Sequence, residues 1–401
     1  MPKPAKPKQT ICPGCDSNAV TVFFQNRNAP AQINFLWETR RAALDCPRGD
    51  ITLGLCNDCG LISNIAFDPE TMEYREGYEN SLHCSGVFQA YAEYLAEKLI
   101  ERFDLYNKTI VEIGCGDGEF LSLLCERARN RGIGFDPTHT DEREGQVSDR
   151  IEFVRDLYSD RYADYEADFI CSRHTLEHVP RPGDLLRAVR SSIGDRIDVG
   201  VFMEVPNARY TLENRFVWDV IYEHTSYFTE LSLRNIFVRE GFQVVNSYET
   251  FSRQYLCIEA YLAPIPGDDI APSPQAQRPV TAGFRQMVDE FKAAYRQYIE
   301  EWQTRLRNLD RSGKKIVLWG AGSKGATFLN MFPLGAMIDR VVDINPRKDG
   351  MFVAGAGQKI IAPERLTEDP PDAVIVVNPV YKGEIAETCK NLGLEPELIL
   401  L

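Results

Sequence analysis

The sequence has no apolar run long enough to cross a membrane, which excludes an integral membrane span. It also lacks any surplus of positive charge: 59 acids against 45 Lys and Arg leave a net charge of -14. A general nucleic-acid binder draws its affinity from cationic contacts to phosphate, so that class is excluded and only local basic pockets remain open. No apolar segment follows the basic start Met1–Lys8, so residues 1–10 read as a disordered tail rather than a secretory signal. The 11 cysteines are odd in number, and Cys125, Cys171 and Cys257 sit inside apolar runs. They fit small hydrophobes in a reducing cytoplasm, the expected location. With 401 residues, 44% hydrophobic and 26% charged, the chain is expected to form two or three packed domains.

Four other cysteines are paired. Cys12-Pro13-Gly14-Cys15 and Cys56-Asn57-Asp58-Cys59 are two C-x-x-C knuckles, the second entered by the strand-like Ile51–Leu55. Together they complete a tetrahedral four-sulfur shell, so a structural Zn2+ on Cys12, Cys15, Cys56 and Cys59 is expected, in a module over 11–85. A closed shell has no open position for chemistry. Between this module and the next lies the aromatic, polar stretch Tyr74–Ser81, which includes Tyr78. It reads equally as a lid over a cofactor site or as ordinary packing.

The stretch Thr109–Phe120 organises the centre. A β-branched run reaches Glu112 and then Gly114, Gly116 and Gly118, before a helical pattern begins at Phe120. This is a parallel strand, a tight turn and a helix, the ligand corner of a doubly wound sheet. The dinucleotide fingerprint would need glycine at 119, where the chain has Glu119. Glycine at 118 instead gives G-x-G-x-G, the spacing of class I methyltransferases that use S-adenosylmethionine. A turn that serves only packing is the bland alternative. Asp136, at the end of the next strand about 20 residues on, suits a ribose diol or else caps a turn before proline. Asp156 ends the third strand, near an adenine amine or in a solvated loop. The core so defined runs over 86–262.

Further along, His174 and His178 stand one helical turn apart beside Glu177. A metalloprotease would need Glu directly after the first His, where Thr175 stands, so a substrate-facing His178 is the better reading. Then comes Tyr222-Glu223-His224. An imidazole suits proton abstraction near neutral pH, Tyr222 could hydrogen-bond an enolate oxygen, and Glu223 could orient the ring. A structural loop histidine is the alternative.

The last third opens with a proline-rich linker and one long helix over Thr281–Leu309, together 263–312. Over 313–401, Ile316–Trp319 leads into G-x-G-x-x-G at 320, 322 and 325, with Asp343 about 20 residues on. That pattern keeps an NAD-binding oxidoreductase or sensor open, beside a plain scaffold. Lys324, Arg347 and Lys348 are cations that could meet a substrate diphosphate near a helix N-terminus, or be solvated surface.

Taken in order, these parts resemble the nucleotide-sugar C-methyltransferases, over nearly the whole chain. The strongest likeness is Gly320–Asn330, similar to that family's Gly-x-x-x-Lys-Gly loop, and Val342–Gly350, similar to its Asp-x-Asn-Pro-x-Lys-x-Gly turn. The family's tryptophan–asparagine pair is replaced by Asn378–Pro379. The resemblance implies an α/β fold: a class I methyltransferase (Rossmann-like) core, a small N-terminal zinc-binding module and a second C-terminal Rossmann-like domain. It implies S-adenosylmethionine at Glu112, Gly114, Gly116 and Asp136, and His224 as general base. Tyr222, Glu223, His178 and Tyr78 would support that base. The implied reaction puts a methyl group on a carbon next to a ketone of a nucleotide-diphosphate deoxysugar. O- or N-methylation of another small molecule is the alternative.

Overall fold

The computed structural model describes residues 11–401 except 73, 75–76, 141–149, 263–276, 333–336 and 339. The tail at 1–10 and the proline-rich stretch at 263–276 lie outside the described residues. Among the described residues no helix is long and apolar enough to cross a membrane.

The N-terminal module is built on strands β1 (Val20–Pro30), β2 (Arg48–Cys56) and β3 (Ile62–Asn64), with the short helix α1 (Arg40–Leu44) between the first two. The strands are antiparallel. A register shift between Val22 and Phe24 lets two consecutive aromatics, Phe23 and Phe24, both turn inward. The two knuckles stand at the far end, one before β1 and one joining β2 to β3.

The central unit begins with helix α2 (Gly86–Phe103), whose N-cap Ser85 accepts from Phe88 N at 3.3 Å. Strands β4 (Thr109–Ile113), β5 (Arg131–Phe135), β6 (Ile151–Val154), β7 (Phe169–Arg173) and β8 (Gly200–Pro206) are parallel. Helices α3 (Glu119–Ala128) and α4 (Pro182–Ile193) cover the sheet, so β4, β7 and β8 are buried along nearly their whole length, with Glu112, Arg173 and Glu204 as the charged exceptions to their apolar character. Helix α5 (Ala208–Asn214) leads to strand β9 (Ser226–Tyr227), which leaves this sheet and pairs antiparallel with β3. Helix α6 (Glu230–Arg239) precedes the antiparallel strands β10 (Phe242–Thr250) and β11 (Tyr255–Leu262). The resulting order is β10-β11-β8-β7-β4-β5-β6. It reverses between β4 and β7, and ligands bind beyond the strand ends at such a switch point.

Strand β7 lies further along the chain than the Ala167–Cys171 that its apolar pattern suggests. Asp168 holds the turn before it, accepting from Thr109 N at 2.8 Å, and this brings Arg173 onto the last strand position.

Helix α7 (Ala282–Arg311) is capped by Thr281 and buries Val288, Phe291, Trp302 and Leu306. Phe291 packs on Phe23 and Phe24 of the first sheet, while Trp302 meets Trp218 and Phe328 at 6.0 and 5.4 Å. One helix thus packs against all three units. The third sheet is all parallel, in order β14-β13-β12-β15-β16, from β12 (Ile316–Trp319), β13 (Arg340–Val342), β14 (Lys359–Ile361), β15 (Ala373–Val376) and β16 (Glu397–Leu400). Helices α8 (Ser323–Met331) and α9 (Lys382–Asn391) flank it. Because Trp302 joins the aromatic cluster between these units, Trp302→Ala is expected to cost about 3–5 kcal/mol of stability, measured by denaturant unfolding.

Candidate active site

A cavity of about 1150 Å³ lies between the strand ends of the central sheet and the glycine turn of the third sheet. Its first wall is the turn after β4. Gly114, Gly116 and Gly118 all have positive φ, at 73°, 54° and 78°. A Cβ on Gly114 would run into Thr175, and one on Gly118 would meet the Phe153 ring at 2.6 Å. Glu112 is 2% exposed and one carboxylate oxygen has no partner. Burial pushes its pKa up to about 8, against the pull of Arg173. Asp136 accepts from Gly116 N at 2.9 Å and from Thr138 N and Oγ1 at 2.8 and 2.6 Å. It therefore fastens the glycine turn and lines the cavity at once. Asp156 also lines the cavity but accepts from Tyr162 at 2.6 Å and pairs with Arg161.

Two neighbours of this turn were not among the expected site residues. His139 stacks on Phe153 at 3.8 Å and places Nδ1 3.0 Å from the Gly116 carbonyl. Glu119 accepts from Ser81 Oγ, and burial, then Asp117, pushes it up to about 7.

The second wall carries His178 and His224, whose rings meet edge to face at 4.9 Å. Burial pushes His178 down to about 4. His224 is lowered well below the usual imidazole range by burial first, then by His178, His174 and Lys324. Both rings are thus neutral, with a lone pair to offer. The Nδ1 of His178 is 2.9 Å from Tyr74 Oη and 3.1 Å from the Glu223 carbonyl. The expected helical pairing of His174 with His178 does not form. His174 adopts φ 52° ahead of a short turn at Leu176–His178, so the two rings face different partners. His174 sits 3.0 Å from Glu204, which also takes two nitrogens of Arg173 at 3.0 and 2.9 Å and the hydroxyl of Tyr91. Burial would raise Glu204, but Arg173 and then His174 hold it down near 2.

Three consecutive residues, Tyr222, Glu223 and His224, part ways. Only His224 of the three lines the cavity. Tyr222, expected to meet an enolate oxygen, is 1% exposed and points away. Its hydroxyl accepts from Asp68 N at 2.9 Å and donates to Asp68 O at 3.3 Å, and its ring packs on Phe67. Glu223, expected to orient the imidazole, is fully buried and satisfied. It accepts from Ile33 N at 2.6 Å, from Asn34 N and Nδ2 at 3.2 and 3.0 Å, and from Tyr78 Oη at 2.9 Å. It holds Tyr78 against the cavity rather than holding His224.

The third sheet supplies the remaining wall. Asp343 accepts from Ala321 N at 2.7 Å and Asn345 N at 2.9 Å, the same double tie that Asp136 makes. Lys324 reaches the cavity but pairs with Asp219. Arg347 Nη1 bridges Glu79 and Asp117 at 2.8 Å each, and Lys348 lies 3.5 Å from Asp343. None of the three is a free surface cation.

The strand order and the positive-φ glycine corner define a class I methyltransferase fold. Residues 88–247 match the family described as a methyltransferase domain, and residues 278–394 match the C-methyltransferase C-terminal domain. C-methyltransferase NovU of Streptomyces niveus is 25% identical over 84% of this chain and 82% of its own length. Among solved structures, the 1,6-didemethyltoxoflavin-N1-methyltransferase of Burkholderia thailandensis is 15% identical, with a TM-score of 0.35 over 44% of this chain and 81% of that one. The two domain matches and this relative together support an S-adenosylmethionine-dependent C-methyltransferase.

Since Tyr222 lies outside the cavity, Tyr222→Phe is expected to lose about 1 kcal/mol of stability and leave methyl transfer unchanged. Turnover and the unfolding midpoint, measured on one preparation, check both halves.

Proposed function

We propose that the protein methylates a carbon next to the ketone of a nucleotide-linked deoxysugar, with His224 as the base. The observation that carries this reading is the neutral His224 ring at the wall of a cavity shared by the glycine corner and the third sheet. The donor fits the first wall: Glu112 has an unpartnered buried oxygen, and Gly116 has nothing within 4 Å of an added Cβ. Glu112, Gly114, Gly116, Gly118, Asp136 and Asp156 would hold it. When bound, S-adenosylmethionine supplies an electrophilic sulfonium methyl.

The chain's own residues prepare the acceptor. His224 takes the α-proton on a ring nitrogen, leaving the electron pair on an enolate. His178 and Tyr74 lie alongside to hydrogen-bond the developing oxyanion, in the place first assigned to Tyr222. Tyr78 closes the cavity on the module side, fixed by Glu223. Lys324, with Arg347 and Lys348 behind it, would exchange carboxylate partners for a sugar diphosphate. The cavity walls hold both reactants in near-attack geometry, and this supplies much of the rate.

The same reading gives Cys12, Cys15, Cys56 and Cys59 a structural zinc. Cys12 and Cys59 sulfurs lie 3.6 Å apart and Cys15 and Cys56 3.4 Å, with all four within 4.8 Å of one another. Zinc–sulfur bonds of 2.3 Å in a tetrahedron require about 3.8 Å between sulfurs, so the set fits.

His224→Ala is expected to slow deuterium exchange from solvent into a thymidine-diphosphate-linked ketodeoxyhexose by roughly 10²–10⁴-fold. Full exchange in that variant would defeat the base, and an O-methyl product without exchange would defeat carbon methylation. Metal analysis of the purified protein is expected to find one zinc per chain, lost with unfolding in Cys56→Ser.

A further inference from the structure

Glu177 lies in the turn Leu176–His178, 1% exposed, between the Arg173–Glu204–His174 network and the His178–His224 pair. Its backbone carbonyl is well used, accepting from Thr225 N at 2.8 Å and Thr225 Oγ1 at 3.0 Å. Those bonds pin the turn to the His224 segment. Its carboxylate is different: neither oxygen has a hydrogen-bond partner. A buried unpaired carboxyl costs stability, so packing alone would favour an amide or an apolar side chain here. The neighbours suggest what the carboxyl does instead. Its Oε1 is 3.9 Å from His174 Nδ1. One of its oxygens, a His178 nitrogen and a His224 nitrogen all lie within 4.8 Å of one another. A small side-chain rotation, or one bridging water, closes that gap.

We propose that Glu177 acts through His224, as the positioning residue that accepts the substrate proton from it. The inference rests on the reading of His224 as the base. The carbon–hydrogen bond breaks, its electron pair stays on carbon and spreads to the ketone oxygen, and the proton binds His224. It then passes to a Glu177 oxygen, leaving a neutral imidazole and a neutral carboxylic acid. Without that second transfer, an imidazolium would stand where burial and three nearby cationic or imidazole groups disfavour it, and it would return the proton to the enolate. Burial pushes Glu177 up to about 8, so it binds a proton more firmly than His224 does.

The groups facing Glu177 are His178 on its own turn, His174 after β7 with Arg173 and Glu204 behind it, and His224 ahead of β9. Tyr74 stands beyond His178. In that setting the wild-type exchange rate rises with pH as Glu177 ionises. Its folded pKa is raised, so ionisation between the unfolded value and about 8 weakens the fold; Glu177→Gln removes that penalty.

The test is deuterium exchange into the same thymidine-diphosphate-linked ketodeoxyhexose, with wild type, Glu177→Gln, Glu177→Asp and His224→Ala compared. Expected for Glu177→Gln are an exchange rate down roughly 10²-fold, KM unchanged, a Tm equal or higher, and no rise with pH. Glu177→Asp should recover part of the rate. Exchange lost in His224→Ala but unchanged in Glu177→Gln would overturn this inference alone, whereas exchange kept in His224→Ala would overturn the base as well. A second metal ion per chain that disappears in Glu177→Gln would make the cluster a cation site and also overturn the relay.

Discussion

The acceptor side of the site depends on a two-residue strand. Ser226 and Tyr227 pair with Ser63 and Ile62, and the Thr225 carbonyl accepts from Asn64 N at 2.9 Å. Through this short ladder the segment carrying His224 belongs mechanically to the N-terminal module, although the chemistry proposed for it belongs to the central unit. Strand β3 begins directly after the second cysteine knuckle, so cross-linking those cysteines would fix one end of the ladder. Glu223 adds a second bond between the units, drawing Ile33, Asn34 and Tyr78 onto a single buried carboxylate. The module is the back wall of the cavity, not an appendage.

The donor corner could be read from the chain because its constraint is local. Positive φ and close approach select glycine at 114, 116 and 118, and the β-branched run before them selects a parallel strand. The acceptor site could not be read this way. In the turn that leads into β9, neighbouring side chains leave in different directions, so Tyr222, Glu223 and His224 reach three different surroundings. Which of them faces the cavity is decided by Gly49, Phe67 and Asn34, far away in the chain. Tyr74 and Glu177 could be read only as part of an aromatic stretch and of a histidine pair, for the same reason. Tyr74 matters only because folding brings it to His178, and Glu177 only because nothing polar reaches its oxygens.

Charge was legible in kind but not in use. Lys324, Arg347 and Lys348 suggest an anion site by type and position, yet each meets a carboxylate held on another element or turn. Lys348 is the one of the three that is buried, and a buried cation is tolerable only with such a partner. The cavity is therefore lined by matched pairs rather than by open cations. Asp136 and Asp343 show the economy of the scaffold: in both sheets one carboxylate ties a glycine turn to the next strand's end.

Glu384, on the last long helix, accepts from Ser85 Oγ at 2.7 Å and Gly86 N at 2.8 Å, across 299 and 298 positions. One of the free amides that open α2 is thus satisfied by a residue of the third sheet's unit. A ribosome delivers α2 long before Glu384 emerges. The first helix of the donor-binding unit therefore completes its capping only when the unit carrying Glu384 has folded against it, so the packing of one unit is written into the helix start of the other.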